Sequence, residues 1–451
     1  MSGERGSGSA ASASEAARAR SVQRCVACGS EMPESDPRTR CAQCGGLLEL
    51  AHVGPGFTRE ALLACFAEAR GASGSNAATD GGAQSGVWRF QAAVLPSARE
   101  IITHPEGNTP LLHRAALDRW TGAGQLLMKH EGHNPTGSFK DRGMTVGVTQ
   151  AKRLGAAAVA CASTGNTSAS LAAYAAQAGI PALALVPSGN VALGKLAQSL
   201  AYGARTLLVR GDFDDCLRLV EQASEQLGVY LLNSINPFRI EGQKTIVLEL
   251  LEQLGWDAPD WIAVPAGNLG NTAAFGKALR EARAWGLIDR MPRIAAVQAE
   301  GAAPFARSFG EGFARRHTVK AETVATAIRI GDPASYERAV RTIRETDGVV
   351  LAVSDAEILE AKAAIDAAGV GCEPASAASV AGVRRLIRDG VMRPSERIIS
   401  VLTGHVLKDP GVLIRYHQEM DPPPAGANRP IEIDPTLGEV ERILRLTAAP
   451  A

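Results

Sequence analysis

Residues 129–142 read Lys129-His-Glu-Gly-His-Asn-Pro-Thr-Gly-Ser-Phe-Lys-Asp-Arg142. Asn134-Pro135-Thr136-Gly137 predicts a turn, and Thr136 or Ser138 can cap a helix running on through Gln150. Lys140 then falls in the first helical turn, where the positive dipole end and the neighbouring amides disfavour an ammonium. An imine-forming lysine needs such a lowered pKa. On residue chemistry alone, a surface lysine paired with Asp141 fits as well.

Outward from this segment the chain alternates short aliphatic runs with helical stretches of ten or more residues. The runs begin at 156 (AAAVACA), 181 (PALALVP), 205 (RTLLVR), 229 (VYLLNS), 261 (WIAVP), 293 (RIAAVQ) and 397 (RIISVLT). This alternation predicts parallel α/β sheets with helices on both faces and ligands at the carboxyl ends of strands. Three such junctions are rich in Gly, Asn, Ser and Thr: Ser163-Thr-Gly-Asn-Thr-Ser-Ala-Ser170, Gly267-Asn-Leu-Gly-Asn-Thr272 and Thr403-Gly-His405. The first offers hydroxyls and amides to an anion, although simple helix capping explains it equally. In the second, two Gly-Asn steps let backbone approach a phosphate closely.

Near the amino terminus, Cys25-Val-Ala-Cys28 and Cys41-Ala-Gln-Cys44 are separated by twelve residues. Paired Cys-x-x-Cys turns present four thiolates to one ion, which predicts a structural zinc ribbon over 21–50 with Cys25, Cys28, Cys41 and Cys44 as ligands. Residues 1–20, rich in Gly, Ser and Ala, read as a flexible tail without a secretory signal, and 51–100 as one helix (TREALLACFAEAR) and a linker from Gly71 to Gly86. The 451 residues are 45% hydrophobic and only 4% aromatic, and 47 Lys+Arg balance 47 Asp+Glu. Zero net charge removes the broad attraction that nucleic acid or an anionic membrane needs. No apolar run approaches the roughly 20 residues that span a bilayer, so the expectation is a soluble, cytoplasmic protein with mostly reduced cysteines.

NPTGSFKDRG strongly resembles the lysine motif of the threonine synthase family of pyridoxal-phosphate (PLP) enzymes, which share the tryptophan-synthase-like fold. EGNTPL (106–111), STGNTSAS (163–170), NSINPFRIEGQKT (233–245), GNLGN (267–271), TAIRIGDPAS (326–335), EPASAASVAG (373–382) and TGHVLKDP (403–410) resemble that family's segments in its order. The resemblance covers about residues 100 to 412, and zinc ribbons occur among family relatives. It implies PLP fold type II, with a large PLP domain over 101–151 and 236–435, a small mobile domain over 152–235 and a C-terminal tail over 436–451.

Carried over by residue, the resemblance implies Lys140 as Schiff-base lysine and proton shuttle, Phe139 beside the ring and Asn166 on the phenolic oxygen. The cofactor's phosphate falls to Gly267, Asn268, Leu269, Gly270 and Asn271, and its pyridine nitrogen to Thr403. Ser163, Thr164 and Thr167 resemble the substrate clamp; Ser234, Arg239 and Asn268 resemble the site for the substrate's own phosphate. An arginine fork suits phosphate because it matches phosphate geometry bidentately; a surface ion pair with Glu241 is the lesser alternative for Arg239. Lys244 is open between a supporting and a purely helical role. The implied partner is a small phosphorylated amino acid, and the implied assembly a homodimer.

The implied reaction is γ-elimination of phosphate from O-phospho-L-homoserine and β-hydration to L-threonine. Asp332, where the family commonly carries asparagine, and Val406, where it carries glycine, put substrate choice in question more than reaction class. The rivals are a cysteate-synthase-like replacement of phosphate on phosphoserine, a threonine dehydratase, and a catalytically retired fold that uses its ribbon to bind a partner.

Overall fold

In the computed structural model, which describes residues 20–53, 57–71, 84–163, 165–188, 193–211 and 213–447, the strand-helix alternation folds into two parallel-rich sheets behind a small antiparallel one. Residues 1–19 of the proposed tail, 72–83 of the linker and Thr164 of the substrate clamp lie outside the described residues. The amino-terminal sheet pairs β1 (Arg20–Cys25) with β2 (Glu31–Pro33) and β3 (Leu48–Val53), all antiparallel. After the helix Arg59–Gly71 come β4 (Leu111–His113) and β5 (Leu126–His130).

The chain then leaves to build a four-stranded parallel sheet from β6 (Ala158–Ala162), β7 (Ala182–Pro187), β8 (Arg205–Val209) and β9 (Val229–Leu231), in the order β8-β7-β6-β9. It returns with β10 (Trp261–Pro265), β11 (Arg293–Ala299), β12 (Val349–Val353) and β13 (Ile398–Leu402). Those strands complete a six-stranded sheet ordered β12-β11-β10-β13-β5-β4, in which only β4 runs antiparallel. β6, β10 and β13 are buried along their whole length, as parallel strands covered on both faces must be, which explains why they read as unbroken apolar runs. The residues through Lys408 form one compact unit; a second unit from Asp409 carries the helix Leu437–Thr447, with Leu437, Val440 and Leu444 exposed along it.

Four helices lead away from strand ends: α1 (Lys140–Arg153) after β5, α2 (Asn166–Ala178) after β6, α3 (Pro237–Gln253) after β9 and α4 (Gly270–Ala284) after β10; α5 (Pro374–Arg388) precedes β13. α3 is buried from Pro237 through Leu251, so its charged residues need partners within the protein. Glu249 meets Lys129 Nζ at 2.6 Å and Arg142 Nη2 at 2.9 Å, and Arg142 also reaches Glu131 at 2.7 Å. Thr109, from the EGNTPL segment, donates its hydroxyl to Glu131 at 2.7 Å and its amide to Glu249 at 2.8 Å. Burial would raise the Glu249 carboxyl, but Arg142 and Lys129 hold it well below the usual carboxylate range. Lys129, the first lysine of the chain, is therefore a structural cation that pins β5 to α3.

α1 and α3 cross at glycines. A Cβ on Gly242 would sit 1.7 Å from the Arg142 carbonyl oxygen, and one on Gly143 only 3.1 Å from the Arg239 carbonyl oxygen. Gly242→Ala is expected to destabilise the protein by about 3 kcal/mol or more, because backbone rather than a side chain must yield; a denaturant melt measures it.

Candidate active site

Every predicted site residue within the described part lies at the carboxyl end of a strand or in the loop or helix that follows it. Lys140 is the first residue of α1, and its Nζ lies 4.3 Å from the centroid of the Phe139 ring. The helix start is not capped as the sequence suggests. Thr136 gives its amide and hydroxyl to the Asp141 carboxylate at 2.7 and 2.6 Å, and Ser138 Oγ is buried with no partner. Asp141 is thereby taken up by the turn. Burial first, and then the Arg239 charge, bring Lys140 down to about 7, a larger effect than the helix dipole the sequence invites.

The lysine loop is zipped to the last junction. Phe139 N donates to Thr403 O at 3.0 Å, His405 N to Gly137 O at 2.9 Å, and Ser138 pairs with Gly404 as a short antiparallel bridge. Thr403 is buried, with its hydroxyl 3.1 Å from Glu373 Oε1 and 2.9 Å from Ser376 Oγ. The other oxygen of Glu373 accepts from Asn166 Nδ2 at 2.9 Å. Asn166, at the start of α2, and Thr403, at the end of β13, are thus joined across the two sheets by a carboxylate the sequence reading did not single out. Burial pushes the Glu373 carboxyl up, against the hydrogen bond from Asn166 and the nearby charges of Lys408 and Lys140. Lys408 spans the same gap, donating to Thr136 O at 2.7 Å and Gln198 Oε1 at 2.5 Å.

Arg239 is fully buried in the first turn of α3. Asn236 caps that turn, its Oδ1 accepting from the amides of Phe238 and Arg239 at 3.0 and 3.3 Å. Arg239 Nη1 donates to Leu232 O at 3.0 Å, while Nε and Nη2 have no partner. A Cβ on Gly143 would lie 3.4 Å from Arg239 Nε, so the guanidinium rests on α1 one turn from Lys140. Burial lowers this guanidinium to about 10. No ion pair with Glu241 forms, because that carboxylate is held by Lys244 at 2.5 Å, Lys277 at 2.7 Å and His52 at 3.1 Å. Lys244 belongs to this cluster, which ties β3 to α3. His52, Glu241 and Glu281 could also be grouped as metal ligands, but two lysines already neutralise the carboxylates.

The Gly267–Asn271 loop opens α4, a helix of 15 residues. Leu269 adopts φ +62°, and Gly267 leaves no room for a Cβ, which would come 2.8 Å from Ile328 Cα. Asn268 donates to Ser234 Oγ at 3.0 Å and accepts from Ala334 N at 2.7 Å, and Asn271 accepts from Gln243, one turn beyond Arg239, at 3.3 Å. Thr272 Oγ1 in the first turn of α4 is buried without a partner. Ser163 Oγ accepts from Gly165 N at 3.2 Å, and Thr167 stands in the first turn of α2. The site thus combines an amine near neutrality, a buried guanidinium with two free donors, and a helix N-terminus open to an anion. Asp332, by contrast, is exposed and paired with Arg316 at 2.5 Å.

The model of the pyridoxal-phosphate-dependent enzyme family matches residues 102–404. Threonine synthase of Methanosarcina acetivorans is 45% identical over 398 residues, covering 88% of this chain and 94% of that protein. The chain belongs to the threonine synthase family of PLP-dependent enzymes. Threonine synthase of Methanocaldococcus jannaschii, 42% identical over 427 residues, covers 94% of this chain and 99% of its own. The crystal structure of threonine synthase from Escherichia coli superposes with a TM-score of 0.66 at 18% identity over 94% of this chain and all of that one, and maize serine racemase with 0.60 at 24% over 73% and 95%. These two likenesses establish the α/β fold. The orphaned donors of Arg239, Ser138 and Thr272 and the glycine-lined start of α4 fit the family's cofactor and a second anion.

In the amino-terminal sheet, the sulfurs of Cys25, Cys28, Cys41 and Cys44 all lie within 4.8 Å of one another, with Cys25 to Cys44 at 3.5 Å and Cys28 to Cys41 at 3.7 Å. The edge of a tetrahedron with zinc-sulfur bonds near 2.3 Å is about 3.8 Å. Among the described residues, no helix is long and apolar enough to cross a membrane.

Proposed function

We propose that this chain is a threonine synthase, converting O-phospho-L-homoserine and water to L-threonine and phosphate. The observation that carries the reading is Arg239, a buried guanidinium with two unpartnered nitrogens held one turn from Lys140. A buried cation kept without a carboxylate is costly unless an anion completes it, and a phosphorylated amino acid brings that anion next to a reactive amine. When bound, PLP supplies the electron sink for carbanion chemistry. Lys140 holds it and, as a neutral amine, takes protons from Cα and Cβ of the bound amino acid. Arg239 with Ser234 and Asn268 draws the γ-phosphate, and Ser163 and Thr167 hold the carboxylate end. Asn166 meets the phenolic oxygen, Thr403 the ring nitrogen, and the Gly267–Asn271 amides the cofactor phosphate. Movement of the four-stranded sheet toward the six-stranded one excludes water until hydration at Cβ.

Purified protein loaded with PLP tests this against O-phospho-L-homoserine, O-phosphoserine plus sulfite, and threonine. Threonine and phosphate from the first alone support it; cysteate from the second or a keto acid from the third assigns the chain to a sister activity. A homodimer in the cytoplasm belongs to the same reading, and light scattering of the loaded protein checks the assembly.

We infer further that Cys25, Cys28, Cys41 and Cys44 hold one structural zinc. Their ribbon is docked through His52 on Glu241 and through Leu48 O, which accepts from the buried Arg338. Elemental analysis is expected to give one zinc per chain. Cys28→Ser is expected to lose it and lower the thermal midpoint, since metal binding supplies the folding energy so short a segment lacks.

A further inference from the structure

Thr403 is fixed in a hydrogen-bond arrangement that decides which way its one proton points. Ser376 Oγ accepts from the amides of Thr403 at 2.8 Å and Gly404 at 3.0 Å. A hydroxyl has two acceptor sites and one hydrogen, so Ser376 must give its hydrogen to Thr403 Oγ1, 2.9 Å away. Thr403 then has one hydrogen and one acceptor site left, for two neighbours: Glu373 Oε1 at 3.1 Å and, on the reading above, the ring nitrogen of PLP.

If Glu373 is ionised it can only accept, so Thr403 donates to it and can only accept from a protonated ring nitrogen. If Glu373 carries a proton it donates to Thr403, whose own hydrogen then turns to an unprotonated ring nitrogen. In both cases Glu373 Oε2 remains an acceptor for Asn166 Nδ2, whose second hydrogen stays available to the phenolic oxygen. We propose that Glu373 and the ring nitrogen of the cofactor share one proton through Thr403, making Glu373 the positioning residue that sets the strength of the electron sink. Transfer is balanced: Glu373 gives its proton to Thr403 Oγ1, Thr403 gives its own to the ring nitrogen, and a carboxylate and a protonated ring result.

The surroundings keep both states within reach. Burial favours the neutral acid, while the hydrogen bond from Asn166 and the charges of Lys408 and Lys140 favour the carboxylate. A Cβ on Gly404 would come 2.5 Å from the Glu373 carboxyl carbon, so glycine there is what admits the acid to Thr403.

The proposal rests on the placement of Thr403 at the ring nitrogen. Its test is the nitrogen NMR shift of PLP labelled at the ring nitrogen, in holoenzyme without substrate, from pH 6 to pH 9. Glu373→Gln presents a permanent amide donor to Thr403 and is expected to hold the ring unprotonated at every pH. Thr403→Val cuts the relay and is expected to give the same unprotonated shift. Wild type is expected to lie displaced from both toward the protonated value, and either variant alone suffices for the comparison. A wild-type shift coinciding with the variants overturns the proposal. Failure to bind PLP overturns it together with the cofactor reading, whereas bound PLP with no threonine formed refutes only the proposed reaction and leaves the NMR result standing.

Discussion

Replacing Arg239 with methionine is expected to make the ligand-free protein more stable and the enzyme far worse. The guanidinium is fully buried, has one hydrogen bond to Leu232 O and leaves Nε and Nη2 unpartnered. Its lowered pKa expresses the same cost, since burial disfavours the charge in the folded state. Removing an uncompensated buried ion commonly gains about 1–3 kcal/mol, to be read as a higher midpoint in thermal or urea unfolding. The catalytic effect runs the other way. Two charge-assisted hydrogen bonds to a phosphate are worth about 1.5–3 kcal/mol each, so kcat/KM for the phosphorylated substrate should fall on the order of 10³-fold. With PLP bound, so that its own phosphate fills the Gly267–Asn271 loop, inorganic phosphate should stabilise wild type by mass action and leave Arg239→Met unmoved. A variant that loses stability while keeping its response to phosphate would show that Arg239 is a structural cation after all.

Lys140→Ala is expected to abolish covalent attachment of PLP and to lower kcat by about 10⁴-fold or more, since it removes both nucleophile and base. Difference spectra and mass analysis of the borohydride-treated protein read the attachment, and a steady-state assay reads the rate. The pH dependence follows from the sign of the shift. With its pKa brought down to about 7, Lys140 is largely neutral above that pH and charged below it. The rate of PLP attachment to the apo-protein should therefore climb between about pH 6 and pH 8 and then level off, whereas an unperturbed lysine would keep gaining toward pH 10. Arg239→Met removes one of the two causes of the depression and should shift that rise to higher pH.

Much of this was legible locally. β6 to β11 and β13 appear as aliphatic runs, β6, β10 and β13 because parallel strands buried on both faces are apolar throughout, and the polar junctions after these three mark the site because that is where helix N-termini open. β5 and β12 were not singled out: β5 runs into the charged Lys129, which reads as a surface break until Glu249 supplies its partner from a helix 120 positions away in the sequence. The capping of α1 was misread for a related reason. Thr136 offers a capping hydroxyl, but Asp141, one residue past Lys140, supplies the acceptor and turns the threonine inward. Glu373 carried no signal of its own, since a carboxylate before a helix proline usually reads as a cap. Its meaning lies in contacts with Asn166 and Thr403, which are 207 and 30 positions away. The same holds for Gly242, whose need for a missing side chain exists only where α3 crosses α1.

In the mechanism proposed for this chain, Lys140 and Arg239 together carry elimination of phosphate followed by hydration at Cβ. It is tested most directly by turning over O-phospho-L-homoserine in water enriched in oxygen-18 and analysing both products by mass spectrometry. Threonine is expected to carry the label in its hydroxyl and phosphate to carry none, because the carbon-oxygen bond breaks and water adds to carbon. Labelled phosphate with unlabelled homoserine, the mark of attack at phosphorus, would contradict it.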